Sequence, residues 1–190
     1  MSSHHIVREK QEPALLVLSI DTFDEEMLGQ LLEWSPTVIC TVDTAEKLNV
    51  LGIKVDWIIG DASTADLQSD VKLMPVSDDS VTSSALKYLV QNGYPSVNVV
   101  VDDFELGDFE LYADKINLVV FKGKLKIYPV SSGFSKWKPA NEFIELLSEP
   151  VGLETNGLEA IGGNRYKTTG DGFFTLQFEQ AFLFVAEDIE

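Results

Sequence analysis

Four acidic positions stand immediately beyond short apolar runs: Asp21, Asp43, Asp61 and the adjoining pair Asp78-Asp79. If those runs are parallel strands, the carboxylates gather at the edge where open parallel sheets bind ligands. Carboxylates converging there can hold Mg²⁺, which takes one or two of them and completes its shell with water and substrate phosphates. The same residues also suit a plainer role, as helix N-caps and turn residues in an acidic chain. Asp61 stands apart because it directly follows Trp57-Ile58-Ile59 and Gly60. Signals for holding phosphate through a glycine-rich loop are weak. There is no Walker-type loop and no Gly-x-Gly-x-x-Gly after a strand. Gly162-Gly163-Asn164-Arg165 lies among strand candidates, where a turn is its natural role.

Nucleophilic relays are poorly supplied. The only histidines, His4 and His5, lie in a polar lead-in, so a Ser-His-Asp or Cys-His relay would require that arm to fold back. A general base would therefore be a carboxylate or a lysine. Cys40, the only cysteine, sits in the apolar run Thr37-Val38-Ile39-Cys40 and reads as a small buried hydrophobe. Trp34, Trp57 and Trp137 could stack on an aromatic ligand or simply fill core. Trp137, flanked by Lys136 and Lys138, looks least like core and marks one of the few basic spots.

The chain that must position these residues has 190 of them, enough for one large domain or two small ones. Hydrophobic residues make up 45% and charged residues 24%, a folded rather than disordered composition. Fourteen Lys and Arg against 31 Asp and Glu give a formal net charge of −17. That charge repels phosphate backbones and anionic lipid, so neither nucleic acid nor a membrane surface is an expected partner. A small anion would need local cations or a bound divalent metal. No stretch approaches the ~20 apolar residues that span a bilayer, and no signal-peptide core opens the chain. A cytoplasmic protein is expected.

Residues 1–12 are expected to form a disordered arm. Residues 13–115 read as an α/β domain, doubly wound around a mostly parallel sheet. Strands are expected at Ala14 to Leu18, Val38 to Cys40, Trp57 to Ile59, Lys72 to Val76 and Val97 to Val101. Helices are expected after Asp24, over Thr44 to Leu51 with Gly52 as C-cap, and over Ser80 to Asn92. Residues 116–190 lose helical periodicity and read as an all-β sandwich domain. Its expected strands are Ile116 to Phe121, Leu125 to Val130, Phe143 to Leu147, Gly152 to Thr155, Phe173 to Phe178 and Ala181 to Val185.

In order and spacing, the segments Ala14 to Leu18, Asp24 to Glu26, Val38 to Asp43, Leu51 to Asp61 and Asp78 to Gly93 resemble thiamine pyrophosphokinases. The most specific part is Leu51-Gly52-Ile53-Lys54-Val55-Asp56-Trp57-Ile58-Ile59-Gly60-Asp61. Glu149 to Leu158 resembles that family's thiamine-binding sandwich, so the likeness spans nearly the whole chain. It implies a homodimer with composite sites between subunits, binding a thiamine-type small molecule. It also implies transfer of pyrophosphate from ATP to the thiamine hydroxyl with Mg²⁺. Asp43, Asp61 and Asp78 would be the catalytic, metal-holding acids. Thr168 and Thr169, in the turn where the family places a Ser-Asn contact, and Trp137 would face thiamine.

The catalytic pattern departs from the family at several points. After Asp43, the family's small Gly-Ala-Asn run reads Thr44-Ala45-Glu46. In the Gly-Asp-x-Asp-Ser motif only Asp61 remains, followed by Ser63 and Thr64. The Lys-Asp-x-Thr-Asp motif reads Ser77-Asp78-Asp79-Ser80-Val81, without its lysine and its second aspartate. No Gly-Gly-Arg-x-Asp-His motif exists. Asp102 to Asp114, where it should stand, carries no cation and looks too short for the helix that follows it. Removing one electrostatic group of this kind typically costs ~10²–10³ in rate, and phosphoryl transfer rests almost wholly on such groups. The losses favour a catalytically impaired protein that binds thiamine or its diphosphate. Two further readings stay open: an active thiamine pyrophosphokinase with a rearranged site, and a structural dimer without ligand.

Overall fold

The computed structural model describes residues 12–60, 70–76 and 80–189. Asp61, Asp78 and the N-terminal arm through residue 11 lie outside the described residues. The fold is mostly β with few helices, and it divides into two compact units, one through Leu118 and one from Val119.

The first unit is built on parallel strands in the order β5-β1-β2-β3-β4: β1 (Ala14–Val17), β2 (Val38–Thr41), β3 (Trp57–Ile59), β4 (Lys72–Met74) and β5 (Ser96–Val101). Continuous apolar runs suit strands covered on both faces, and all four β1 side chains are buried. Leu16 lies opposite Ile39 on one side and Val99 on the other. The connecting helices are α1 (Glu25–Leu32), α2 (Val42–Val50) and α3 (Val81–Gln91), which bury Leu28, Leu48, Leu86 and Leu89. Each starts on a side-chain cap. Asp24 accepts from the Met27 N–H, Thr41 from Thr44 and Ser80 from Ser83. Because Thr41 caps directly from the strand, α2 begins at Val42, two residues earlier than expected. A single turn, α4 (Gly107–Glu110), occupies the short segment after β5. Cys40 is fully buried and its thiol is pushed up to about 12 by that burial, which removes the reactive thiolate.

The second unit is antiparallel. Neighbouring strands run β11-β12-β9-β14-β7-β6: β6 (Asn117–Lys122), β7 (Leu125–Val130), β9 (Phe143–Leu146), β11 (Leu158–Gly162), β12 (Arg165–Thr168) and β14 (Leu183–Asp188). A three-stranded sheet has the order β10 (Glu154–Asn156), β13 (Gly172–Gln177), β8 (Phe134–Lys138). Phe174 and Leu176 of the smaller sheet share a core with Val130, Ile144, Leu146, Leu183 and Val185 of the larger one. Gly162 ends β11 and Gly163-Asn164 form the β11–β12 turn, with both glycines at positive φ, in keeping with the turn expected there.

A charged cluster lies inside this unit. Lys138 and Glu187 are each only 4% exposed, with Lys138 Nζ 3.1 Å from Glu187 Oε2. Lys136 Nζ donates to Glu187 Oε1 and lies 3.4 Å from the Tyr128 hydroxyl. Burial opposes ionisation of Glu187, but the two ammonium groups outweigh it and hold the carboxyl below its ordinary range. Burial, and then the Glu187 charge, push the Tyr128 phenol up, so it stays neutral.

Two outcomes follow from this packing. Glu187→Gln removes the nearer of the two carboxylates that face the buried Lys138 ammonium, leaving only Glu142 Oε2 at 3.7 Å, and should lower the urea-unfolding free energy by up to about 3 kcal/mol. Because the folded carboxyl titrates below the unfolded one, its contribution is complete above the unfolded value and is lost as pH falls through the folded one. Acid titration of stability should therefore be shallower in Glu187→Gln than in the wild type. Gly60, at φ 136°, has room only for hydrogen, since a Cβ there would lie 2.8 Å from Val42 Cγ2. Gly60→Ala should cost about 1–3 kcal/mol, read by thermal unfolding.

Candidate functional site

In the first unit β1 lies between β2 and β5, so the chain lays down strands to one side of β1 and then returns to its other side. Crevices at such a reversal, beyond the carboxyl ends of the strands, are where open parallel sheets place ligands. A crevice of about 390 Å³ sits there, lined by Ser19, Asp21, Thr22, Thr82, Asp102 and Asp108 among others. A groove of about 950 Å³ lies at the opposite, amino ends of the strands, beside Trp34, Trp57 and Tyr88. Although it is larger, it is remote from the strand-end acids, and the smaller crevice is the candidate site.

The centre of the crevice is a hydrogen-bonded carboxylate. Asp102 follows β5 directly. Its Oδ2 accepts from the Asp21 N–H at 2.9 Å, and its Oδ1 accepts from the Thr22 N–H at 2.8 Å and the Thr22 hydroxyl at 2.6 Å. Its own N–H donates to Ser19 Oγ at 2.7 Å. Partial burial works against the ionised form, but the donors from Thr22, Asp21 and Ser19 outweigh it and hold the carboxyl below its ordinary value. Successive backbone N–H groups with an adjacent hydroxyl make a cradle for an anion. Here the chain's own carboxylate fills it.

The charge around this cradle is negative. Among the described residues lining the crevice are Asp21, Asp102, Asp103 and Asp108, and no Lys or Arg. Lys47 on α2 pairs with Asp21, and its ammonium is held above its ordinary value, chiefly by that hydrogen bond. On the α2 side, the Thr44 hydroxyl donates to the Leu18 carbonyl at 3.0 Å, and the Thr41 hydroxyl, with its one proton, lies 2.8 Å from Thr44 Oγ1 and 3.2 Å from the same carbonyl. Thr44, at the first of the family's small positions, is thus buried and tied to the end of β1.

Asp43 is exposed in the first turn of α2. Asp61 and Asp78 lie outside the described residues. Among the described residues, no group of three His, Cys, Asp or Glu is arranged to hold a metal ion. In the second unit, Thr168 is buried. Its hydroxyl donates to the Pro139 carbonyl at 2.6 Å and accepts from the Glu142 N–H at 2.9 Å, pinning the turn that follows Trp137. Thr169 is exposed, with its N–H on the Gly157 carbonyl. Trp137 is 53% exposed. The part played by Asp102 was not legible from motifs. The one signal for it was an aspartate placed directly after the run Val97 to Val101.

No protein-family model and no curated protein matches this sequence. Solved structures do match. A probable thiamine pyrophosphokinase from Staphylococcus saprophyticus aligns at TM-score 0.68 and 15% identity, over 94% of this chain and 99% of that one. Thiamine pyrophosphokinase from Bacillus subtilis aligns at TM-score 0.69 and 12% identity, over 94% of this chain and 100% of that one. The yeast enzyme aligns at 0.68 and 12% identity, over 97% and 88%. No described helix is long and apolar enough to cross a membrane. At these identities the likeness is one of architecture, and nearly the whole chain has the fold of the thiamine pyrophosphokinases.

Proposed function

We propose that this chain is a thiamine pyrophosphokinase-like protein whose pyrophosphoryl-transfer site is impaired and which binds thiamine or thiamine diphosphate. The observation that carries this reading is the Asp102 carboxylate on the Asp21 and Thr22 donors. A polyphosphate entering the crevice would have to displace a hydrogen-bonded anion and then sit beside Asp103, Asp108 and the Asp21 that Lys47 already pairs, with no Lys or Arg in the described lining. Transfer chemistry asks for the opposite charge pattern.

In this reading residues 13–115 form the catalytic-like domain, doubly wound about its parallel sheet, and residues 116–190 form the thiamine-binding-like sandwich. The cationic thiazolium of thiamine suits an acidic, aromatic-lined site. Trp137 and Thr169 offer exposed surface to it, whereas Thr168 serves by holding the turn. The protein works as a cytoplasmic homodimer. The alternative is an active enzyme in which Asp43, Asp61 and Asp78 hold Mg²⁺ for ATP. The exposed position of Asp43 in the first turn of α2 is compatible with it, but the acid-filled crevice speaks against it.

Incubation with thiamine, ATP and Mg²⁺ should yield no more thiamine diphosphate than an Asp61→Ala control, and product that vanishes in the control would overturn the reading. Replacing the plug should open the cradle. Asp102→Ala, which leaves the Asp21 and Thr22 donors without an acceptor, is expected to bind inorganic pyrophosphate at least about tenfold more tightly than the wild type by calorimetry, a ~1.4 kcal/mol change near the low end for a hydrogen bond to a charged group. Equal affinities would contradict the role given to Asp102.

A further inference from the structure

The groove of about 950 Å³ at the amino ends of the parallel strands takes no part in the proposed function. Its described lining steps across four adjacent strands: Glu12 ahead of β1, Thr37 ahead of β2, Trp57 at the head of β3 and Lys72 at the head of β4. Neighbouring strands lie ~4.8 Å apart, so the groove runs for about 14 Å. Its walls are aromatic. Trp34, 71% exposed, stands beside it where α1 ends. Trp57 and Tyr88 pack ring against ring within it, their centroids 5.0 Å apart and their planes at 52°. Lys72 Nζ lies 5.1 Å over the Trp57 ring. Val50 and Leu51, just ahead of Gly52 in the lining, add exposed apolar surface at the end of α2.

The backbone around this groove is unusual. Three non-glycine residues among those described have positive φ, and two of them, Ser35 at 53° and Asp70 at 74°, line the groove. Ser35 closes the end of α1 with its N–H on the Leu32 carbonyl at 2.9 Å, in a place where glycine is usual. It thereby sets the direction in which the chain carries Trp34 away from the helix. Such backbone conformations gather at ligand clamps.

We infer that this groove docks a proline-rich, basic segment of a partner protein, held in the polyproline II conformation. At ~3.1 Å per residue, roughly five such residues span it. Proline rings suit flat Trp and Tyr faces, and aromatic-lined grooves recur as receptors for this preformed helix, which has little entropy left to lose on binding. Charge sets the sign of the partner. The described lining carries Glu12, Asp56 and Asp70 against Lys54 and Lys72, in a chain of formal net charge −17. An acidic segment is therefore repelled, and Lys or Arg beside the prolines is attracted. Asp56 is already engaged, since its Oδ2 accepts from the Val38 N–H at 2.9 Å. The exposed Asp70 is the acid that meets the basic residue.

Fluorescence anisotropy of a labelled peptide of consecutive prolines flanked by arginines, titrated with the full chain, tests this. Saturable binding is expected. Trp34→Ala should weaken it about tenfold or more while leaving thermal unfolding unchanged. Asp70→Lys should weaken the arginine-flanked peptide about threefold to fivefold and leave plain oligoproline unaffected. Thiamine should not compete with the peptide, and thiamine binding should be the same in Trp34→Ala, so this inference and the proposed function can fail separately. No saturable binding, or binding that Trp34→Ala does not change, overturns the inference. So does equal binding of a peptide whose arginines are replaced by glutamates. Quenching of tryptophan fluorescence by adenosine, lost in Trp34→Ala and with the peptide inert, would give the groove to a small planar ligand instead.

Discussion

The first unit depends on the complete burial of β1. All four of its side chains are inaccessible and both of its edges are paired, to β2 and to β5. A strand so enclosed cannot shift register without pushing apolar side chains into the wrong environment, and its end therefore delivers the loop from Leu18 to Asp24 to a fixed place. That loop is then held from two sides. Thr44 takes the Leu18 carbonyl, and Asp102 takes the N–H groups of Asp21 and Thr22. The loop's donors are thus satisfied internally. A site built to receive phosphate would leave such donors free until ligand arrives.

The second unit rests on a different constraint. Glu187 lies within a β14 strand that is otherwise apolar up to its last residue, and the cost of burying a carboxylate is met by lysines from β8. This fixes the inward face of β8 as Phe134, Lys136 and Lys138, and so sends Trp137 outward beside Phe173. The interior ion cluster and the exposed aromatic pair are two consequences of one strand register.

Much of this was legible in the sequence because it follows from simple periodicities. Continuous apolar runs gave β1, β2, β3 and β5. Asp24 and Ser80 marked helix starts, and Lys122-Gly123-Lys124 marked the β6–β7 hairpin. What escaped had physical reasons. β8 reads as polar because two of its inward positions are lysines, which become strand-like only once Glu187 faces them. β11 and β12 are exposed along most of their length and carry little apolar pattern. The resemblance correctly pointed to the fold of the thiamine pyrophosphokinases, yet the Asp102 contact joins residues about 80 positions apart, and no local motif announces a carboxylate folded back on its own loop.

The central proposal is that a chain with the fold of the thiamine pyrophosphokinases has its strand-end crevice filled by its own carboxylate. It is tested most directly by titrating the full chain separately with thiamine and with ATP in the presence of Mg²⁺, by calorimetry. The account predicts heat of binding for thiamine and none for ATP. Mg²⁺-dependent ATP binding by the wild-type chain would contradict it and would restore the crevice to the role of a nucleotide site.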